Sequence, residues 1–344
     1  MEKLKFALFG AGFWSRYQLA GWIETGLVEC IAICDPIREK AEALAGDFGV
    51  AAVYDDPQTL FEREKPDFVD ICTSVETHSP LAMMALEHGL PVVCQKPMAP
   101  TLQEARQLVE RFQQAGVPLY VNENWRWQHP LRELKARLDS GRIGRVFRAR
   151  IDYRNSFPVF DNQPFLKELD QFILTDIGTH ILDVARFLFG EASTLYAQTA
   201  RVHPDIRGED VASVMMKMHS PTNDVTTVVC DMSYASPREH DRFPETFVEI
   251  EGENGFLELG PDYWVRETLK AQGTNAARYV PPRFEWANPA YDLIHSSIYP
   301  CQLNIARALH GLEPGETTGA DNLKTLALVF AAYASAAGGE SVRL

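Results

Sequence analysis

The sequence is short of positive charge: its 344 residues hold 33 Lys and Arg against 47 Asp and Glu, a formal net charge of -14. A surface of that sign repels phosphate polyanions and anionic lipid, so neither nucleic acid nor membrane is an expected partner. Cysteines are few, and the six present (Cys30, Cys34, Cys72, Cys94, Cys230 and Cys301) include no C-x-x-C pair. Four lie in or beside apolar strand-like runs, which reads as reduced core thiols and a cytoplasmic location. Long apolar runs are also missing. The most apolar late stretch, 326–337, falls far short of the roughly 20 residues of a bilayer-spanning helix. The opening MEKLKFALFGAGFW has too short an apolar core for an export leader and no small-residue cleavage site after it. There is no internal repeat or low-complexity tract. What remains is ordinary globular composition, 46% hydrophobic and 23% charged, which excludes disordered, collagen-like and coiled-coil classes. The length suits two domains at roughly 100–200 residues each.

Apolar strand-like runs at 5–9, 30–34, 52–54, 68–72, 92–94 and 119–121 alternate with helical patterns at 13–25, 39–47, 59–64, 80–88 and 102–115. That rhythm, without hairpin turns, predicts a parallel doubly wound sheet: an α/β Rossmann domain over residues 1–121. Beyond it a helix at 131–140 leads to strand-like stretches at 146–153, 195–202, 211–218, 225–234 and 246–251, separated by turn-rich segments. These fit an α+β carboxyl-terminal domain over 122–344 with a large, mainly antiparallel open sheet. It carries further helices from near Asp176, at 297–310 and at 321–337. The aromatic, polar stretch 153–172 is the expected substrate loop.

The first strand runs into Gly10-Ala11-Gly12-Phe13-Trp14-Ser15 and then at once into a helix. Gly10 permits the tight turn and Gly12 a close backbone approach to a pyrophosphate at the helix's positive end. The third glycine of the fingerprint is replaced by Ser15. Asp35 ends the second strand, where a carboxylate can bind both ribose hydroxyls and would repel the extra phosphate of NADP. NAD is therefore the expected cofactor and NADP the alternative, since Arg38 could clamp that phosphate if it does not simply begin a solvated helix.

Two more loops leave carboxyl ends of predicted parallel strands, where open α/β sheets bind ligands: Thr73-Ser74-Val75-Glu76-Thr77-His78 and Gln95-Lys96-Pro97. Together with Asn124-Trp125-Arg126-Trp127, Asp176-Ile177-Gly178-Thr179-His180-Ile181-Leu182-Asp183 and Val248-Glu249-Ile250-Glu251-Gly252-Glu253-Asn254-Gly255, in that order, the chain resembles the Gfo/Idh/MocA family of NAD(P)-dependent oxidoreductases. The resemblance spans nearly the whole sequence. It implies cofactor contacts from Gly10, Gly12, Phe13, Trp14, Asp35, Arg38, Thr73, Ser74, His78, Gln95, Lys96 and Asn124. It also implies that Lys96 and Asp176 position a reacting hydroxyl while His180 exchanges its proton. The family's usual Glu-Lys-Pro reads Gln95-Lys96-Pro97 here. An amide there removes a charge that would stabilise the protonated lysine, so Lys96 should titrate lower than beside a glutamate. An upward move of the pH–rate profile in Gln95→Glu is the expected result, and an unmoved profile counts against it.

Asp176, His180 and Asp183 fall at i, i+4 and i+7, one face of a helix; Asp183 is read as supporting the helix or orienting His180. Alcohol oxidation needs a group with pKa near working pH to take the hydroxyl proton, which histidine offers unaided. An ammonium at Lys96 would stabilise alkoxide charge or, with its pKa lowered, take the proton itself. Trp125, Arg126, Trp127 and Tyr153 are the further substrate candidates: aromatic faces suit sugar or cyclitol rings, and Arg126 suits a hydroxyl, carboxylate or phosphate. Interdomain packing is the alternative for the tryptophans. Asp-x-x-x-His-x-x-Asp offers metal-ligand types, but no cysteine, histidine pair or H-E-x-x-H pattern accompanies it, and no metal is expected. The expected activity is hydride transfer between the nicotinamide and a hydroxyl or carbonyl carbon of a sugar, sugar acid or cyclitol. An NAD-retaining glycosidase and a silent NAD-binding regulator are the alternatives. A helix-free sheet face makes a homo-oligomer, dimer or tetramer, the expected partner state.

Overall fold

The computed structural model describes residues 2–237 and 243–344. In chain order the first elements are β1 (Leu4–Phe9), α1 (Phe13–Glu24), β2 (Val28–Cys34), α2 (Arg38–Phe48), β3 (Ala52–Tyr54), α3 (Pro57–Arg63), β4 (Phe68–Ile71), α4 (Val75–Glu87), β5 (Val92–Cys94), α5 (Leu102–Ala115) and β6 (Leu119–Val121). There follow α6 (His129–Asp139), β7 (Val146–Arg154), α7 (Val159–Asn162), α8 (Thr179–Phe189), β8 (Glu191–Ala200), β9 (Val211–His219), β10 (Val225–Ser233) and β11 (Phe247–Gly252). The last are β12 (Gly255–Gly260), β13 (Trp264–Leu269), β14 (Gly273–Arg278), α9 (Asp292–Leu309), α10 (Gly319–Gly338) and β15 (Val342–Arg343).

The first sheet is six-stranded and parallel, in the order β3-β2-β1-β4-β5-β6. Its central strands are covered on both faces, which is why β4 and β5 are buried at every position and read as unbroken apolar runs. The exception within β4 is Asp70. It is wholly buried, and its carboxylate accepts from Trp22 Nε1 (2.7 Å) and Asn122 Nδ2 (3.0 Å). Burial pushes its pKa up to about 7. α4 begins five residues earlier than the sequence pattern implies, so Pro80 lies inside the helix, where it has no N–H to donate back along it.

The second sheet is nine-stranded, in the order β14-β13-β12-β11-β7-β10-β9-β8-β15. β10 pairs with β7 in parallel; the other pairs are antiparallel. β9 alternates buried and exposed side chains, as a strand with one face on a core must. Among the described residues no helix is long and apolar enough to cross a membrane. The six cysteines form no disulfide, and burial pushes the Cys34 and Cys72 thiols up to about 12, so these two remain protonated.

The chain forms two compact units, and the cut is not the single break at 121/122 that the sequence suggested. Residues 1–124 group with 283–324, and residues 125–282 with 325–344. The physical reason for the return of 283–324 is a helix-on-helix contact at Gly21. A Cβ on Gly21 of α1 would lie 2.4 Å from Gln302 Oε1 and 2.8 Å from Ile298 Cγ2, both on α9, so only glycine lets the helices approach. Gln302 is fully buried there and donates to the Gln18 carbonyl (3.0 Å) and to Gln18 Oε1 (2.6 Å). A helix whose buried face carries His295, Ser296, Ser297, Gln302 and Asn304 needs polar partners, and α1 and its neighbours supply them.

Candidate active site

In the first unit the glycine turn is shaped by backbone. Gly10 has φ +96°, and a Cβ there would lie 2.3 Å from the Cys72 carbonyl at the end of β4. Both facts require glycine. Gly12 is exposed with open space where a Cβ would stand, leaving room for a ligand to reach the first turn of α1. Ser15, in the third-glycine position, is wholly buried. Its hydroxyl accepts the Gly12 N–H (3.1 Å) and donates to the Cys72 carbonyl (3.4 Å), so it fastens the turn to β4. Asp35 stands at the end of β2 with one oxygen accepting the Ala11 N–H (2.7 Å) and the other the Ile37 N–H (2.8 Å). This fixed carboxylate beside an open glycine turn fits a dinucleotide ribose and pyrophosphate. Phe13 is exposed, while Trp14 and Tyr17 pack against the buried ring of His295, Tyr17 at 3.9 Å between centroids.

The other expected cofactor residues divide. Thr73 and Ser74 lead into α4, with Ser74 at its N-cap. Gln95 turns its side-chain oxygen back to accept the Lys96 N–H (2.8 Å), and Lys96 is half-buried on the loop after β5. Arg38 is held along α2 by Glu42 (2.9 Å) and lies 3.9 Å from Asp55. Asn124 is buried, and its amide donates to the Ile294 carbonyl (3.2 Å) and Ser297 Oγ (2.7 Å), which ties the end of the β6 segment to α9. His78 is 1% exposed with both ring nitrogens facing main-chain carbonyls, so it braces the site and is shielded from a ligand.

In the second unit the site is built of side chains. Trp125–Trp127 form a short 3-10 turn before α6. Trp125 is buried; its Nε1 donates to Thr246 Oγ1 (3.0 Å), and its ring stacks on the imidazole of His180 with centroids 4.3 Å apart. It is thus a wall behind the histidine instead of an open platform for a sugar. Trp127 carries the Arg132 guanidinium over its ring at 3.6 Å. Arg126, expected to hold a substrate group, is buried and forked on Asp183: Nε donates to Oδ2 at 2.6 Å and Nη2 to Oδ1. Asp183 also accepts from Thr325 Oγ1 (3.0 Å), so it anchors α8.

Asp176 lies in a π-helical turn, Leu174–Gly178, that runs directly into α8; the regular α-helix expected from Asp176 begins only at Thr179. Such turns are frequent at functional sites. The turn is held by Glu209, which accepts the Phe172 (3.4 Å) and Leu174 (3.3 Å) N–H groups. Tyr333 donates to Glu209 (2.7 Å) and accepts the Thr175 N–H (3.2 Å). Asp176 Oδ2 accepts from the Tyr234 hydroxyl at 3.2 Å. Burial, then the neighbouring Asp176 charge, hold the Tyr234 hydroxyl well above its ordinary range, so it stays a donor. Tyr153 is buried edge-on to both Trp125 (5.8 Å) and Tyr234 (6.2 Å). A continuous run of aromatic contacts therefore links Asp176 to His180. Tyr234 escaped sequence reading, since a tyrosine at a strand end carries no mark of its function.

Residues 4–123 match the family described as "Oxidoreductase family, NAD-binding Rossmann fold", and residues 131–258 match the GFO/IDH/MocA C-terminal domain. The chain belongs to the Gfo/Idh/MocA oxidoreductase family and is an NAD-dependent oxidoreductase. Among its relatives is the D-apiose dehydrogenase of Paraburkholderia graminis, 42% identical over 100% of this chain and 90% of that one. The D-apiose dehydrogenase of Rhizobium rhizogenes is 40% identical over 99% of this chain and 98% of that one. An oxidoreductase from Agrobacterium radiobacter, solved in complex with NAD+, L-tartaric acid and magnesium, superposes with a TM-score of 0.95 at 39% identity, covering 99% of this chain and 98% of that one.

Proposed function

We infer that the protein oxidises a hydroxyl of a small sugar of the D-apiose type, with NAD as hydride acceptor. Full-length similarity to two dehydrogenases of that sugar supports the substrate class. The observation that carries the chemistry is the pairing of His180 with Trp125 and of Asp176 with Tyr234 on one helical segment. Gly10, Gly12, Phe13 and Asp35 hold the dinucleotide, which when bound supplies the hydride acceptor. Asp176, fixed by Tyr234, orients the substrate hydroxyl. His180 takes its proton at a ring nitrogen, the stacked indole keeping the imidazole in one plane. The Lys96 ammonium stabilises the charge left on the substrate oxygen. The outer face of the second sheet, with Met215 49% and Val225 38% exposed on neighbouring strands, meets another copy of the chain. Buried, reduced thiols such as Cys72 and Cys94 fit a cytoplasmic setting.

The test is formation of reduced nicotinamide with D-apiose against other pentoses, sugar acids and inositols. D-apiose should give the highest kcat/KM. A flat cofactor signal with release of an aglycone from a glycoside would replace this reading with a glycosidase, and NAD binding without turnover on any substrate would replace it with a regulator. Light scattering checks the oligomer, and Met215→Lys should shift it towards monomer.

A further inference from the structure

The loop that carries Lys96 is anchored on both sides. Upstream, the Gln95 N–H donates to the Ile71 carbonyl of β4 (2.9 Å). Downstream, Pro97 has no N–H to give, and its carbonyl oxygen lies 2.9 Å from Nδ1 of His78 on α4. The other ring nitrogen, Nε2, faces the Thr73 carbonyl at 3.1 Å. A carbonyl oxygen only accepts, so a neutral ring can donate to one of the two and turns a lone pair on the other. Burial, at 1% exposure, pulls the His78 pKa below its ordinary value and favours that single-proton ring. The contact to Pro97 is the shorter, which favours the proton on Nδ1. It also joins two separate segments, whereas Thr73 belongs to the stretch that leads into the histidine's own helix.

We propose that His78 is a positioning residue: its Nδ1–H, donated to the Pro97 carbonyl, locks the Gln95–Lys96–Pro97 loop onto α4 and thereby sets where the Lys96 side chain starts. The consequence for turnover rests on the role given to Lys96 above, but the lock itself does not. A displacement of about 1 Å in a group that steadies developing charge costs up to roughly 100-fold in rate.

Two conservative replacements separate the two contacts. The amide nitrogen of asparagine falls where Nδ1 stands and can reach Pro97, while that of glutamine falls where Nε2 stands and can reach Thr73. Hydrogen exchange of the 94–99 amides, read by mass spectrometry on the full chain, should stay near wild type in H78N and quicken in H78Q and H78A. In the same proteins kcat should fall roughly 10–100-fold in H78Q and H78A. H78N should recover most of that loss, with KM for the sugar little changed throughout. Calorimetric titration with NAD should show H78N and H78Q binding alike, so that a difference in kcat reports the lysine loop. Equal exchange in H78N and H78Q, or faster exchange in H78N alone, overturns the lock. If K96M turns over like wild type, the role given to Lys96 fails, and the exchange comparison still decides the lock.

Discussion

The glycine-turn region of the first unit and the α8 region of the second are built from different materials. The first is made by backbone: a positive φ, a carbonyl that forbids a Cβ, N–H groups capped by Asp35 and Ser15. The second is made by side chains held by other side chains: His180 against Trp125, Asp176 under Tyr234, and Asp183 forked on Arg126. The same contrast appears in their buried aspartates. Asp70 and Asp183 are both wholly buried, yet Asp70 accepts from the neutral indole of Trp22 and amide of Asn122 while Asp183 faces a guanidinium. A backbone site tolerates changes of side chain and fails when a Cβ is added. A side-chain site fails one residue at a time.

The largest effect should come from the α8 region. His180→Asn removes the proposed proton acceptor and should lower kcat by roughly 10²–10⁴-fold with the protein still folded, checked by turnover beside a thermal melt; near-wild-type turnover would transfer the acceptor's role elsewhere. Next, Asp183→Asn leaves the Arg126 guanidinium buried without its carboxylate and should cost about 3–5 kcal/mol in urea unfolding. The double variant Arg126→Met/Asp183→Leu should recover part of that loss. A double variant worse than the single would mean that the ion pair itself stabilises the unit.

Asp70→Asn tests the other aspartate. Its folded pKa, about 7, lies above the ordinary 3.8, so across that window the native state keeps a proton that the unfolded chain has released. Stability is fully present below the unfolded pKa and is lost as pH rises through the folded one, by roughly 4 kcal/mol at about 1.36 kcal/mol per unit. In Asp70→Asn that decline should vanish, so the variant should melt higher than wild type above pH 7 and close to it near pH 4. Parallel melting curves across pH would refute the contrast between the two aspartates. The smallest effect is Ser15→Ala, which removes the hydroxyl between Gly12 and Cys72 and should cost about 1 kcal/mol. It should also weaken NAD binding measurably by calorimetry.

This difference in materials also decided what could be read in advance. The βα rhythm, Gly10, Gly12 and Asp35 are legible because a strand–turn–helix and its glycines are local features of the chain. The Asp176/His180 spacing was legible as well, although not the π turn that carries Asp176, since its register is imposed by Glu209 and Tyr333 from distant segments. β12, β13 and β14 are not among the expected strands; for β14 the reason is simple, since every residue is exposed or nearly so and such a strand has no apolar alternation to show. The return of α9 to the first unit rests on Gly21 and on buried glutamines, neither of which looks like an interface in a sequence. The protein partners of Asn124 and Arg126 are not legible either, since Ser297 and Asp183 lie 173 and 57 residues away.

The indole stacked on His180 has a use outside catalysis. An imidazole in face contact with an excited indole alters its emission, so the fluorescence of Trp125 reports whether the two rings stay stacked. In a background where the other tryptophans are replaced by phenylalanine, a single optical measurement would then record any movement of the proposed base off the indole, with no reaction under way.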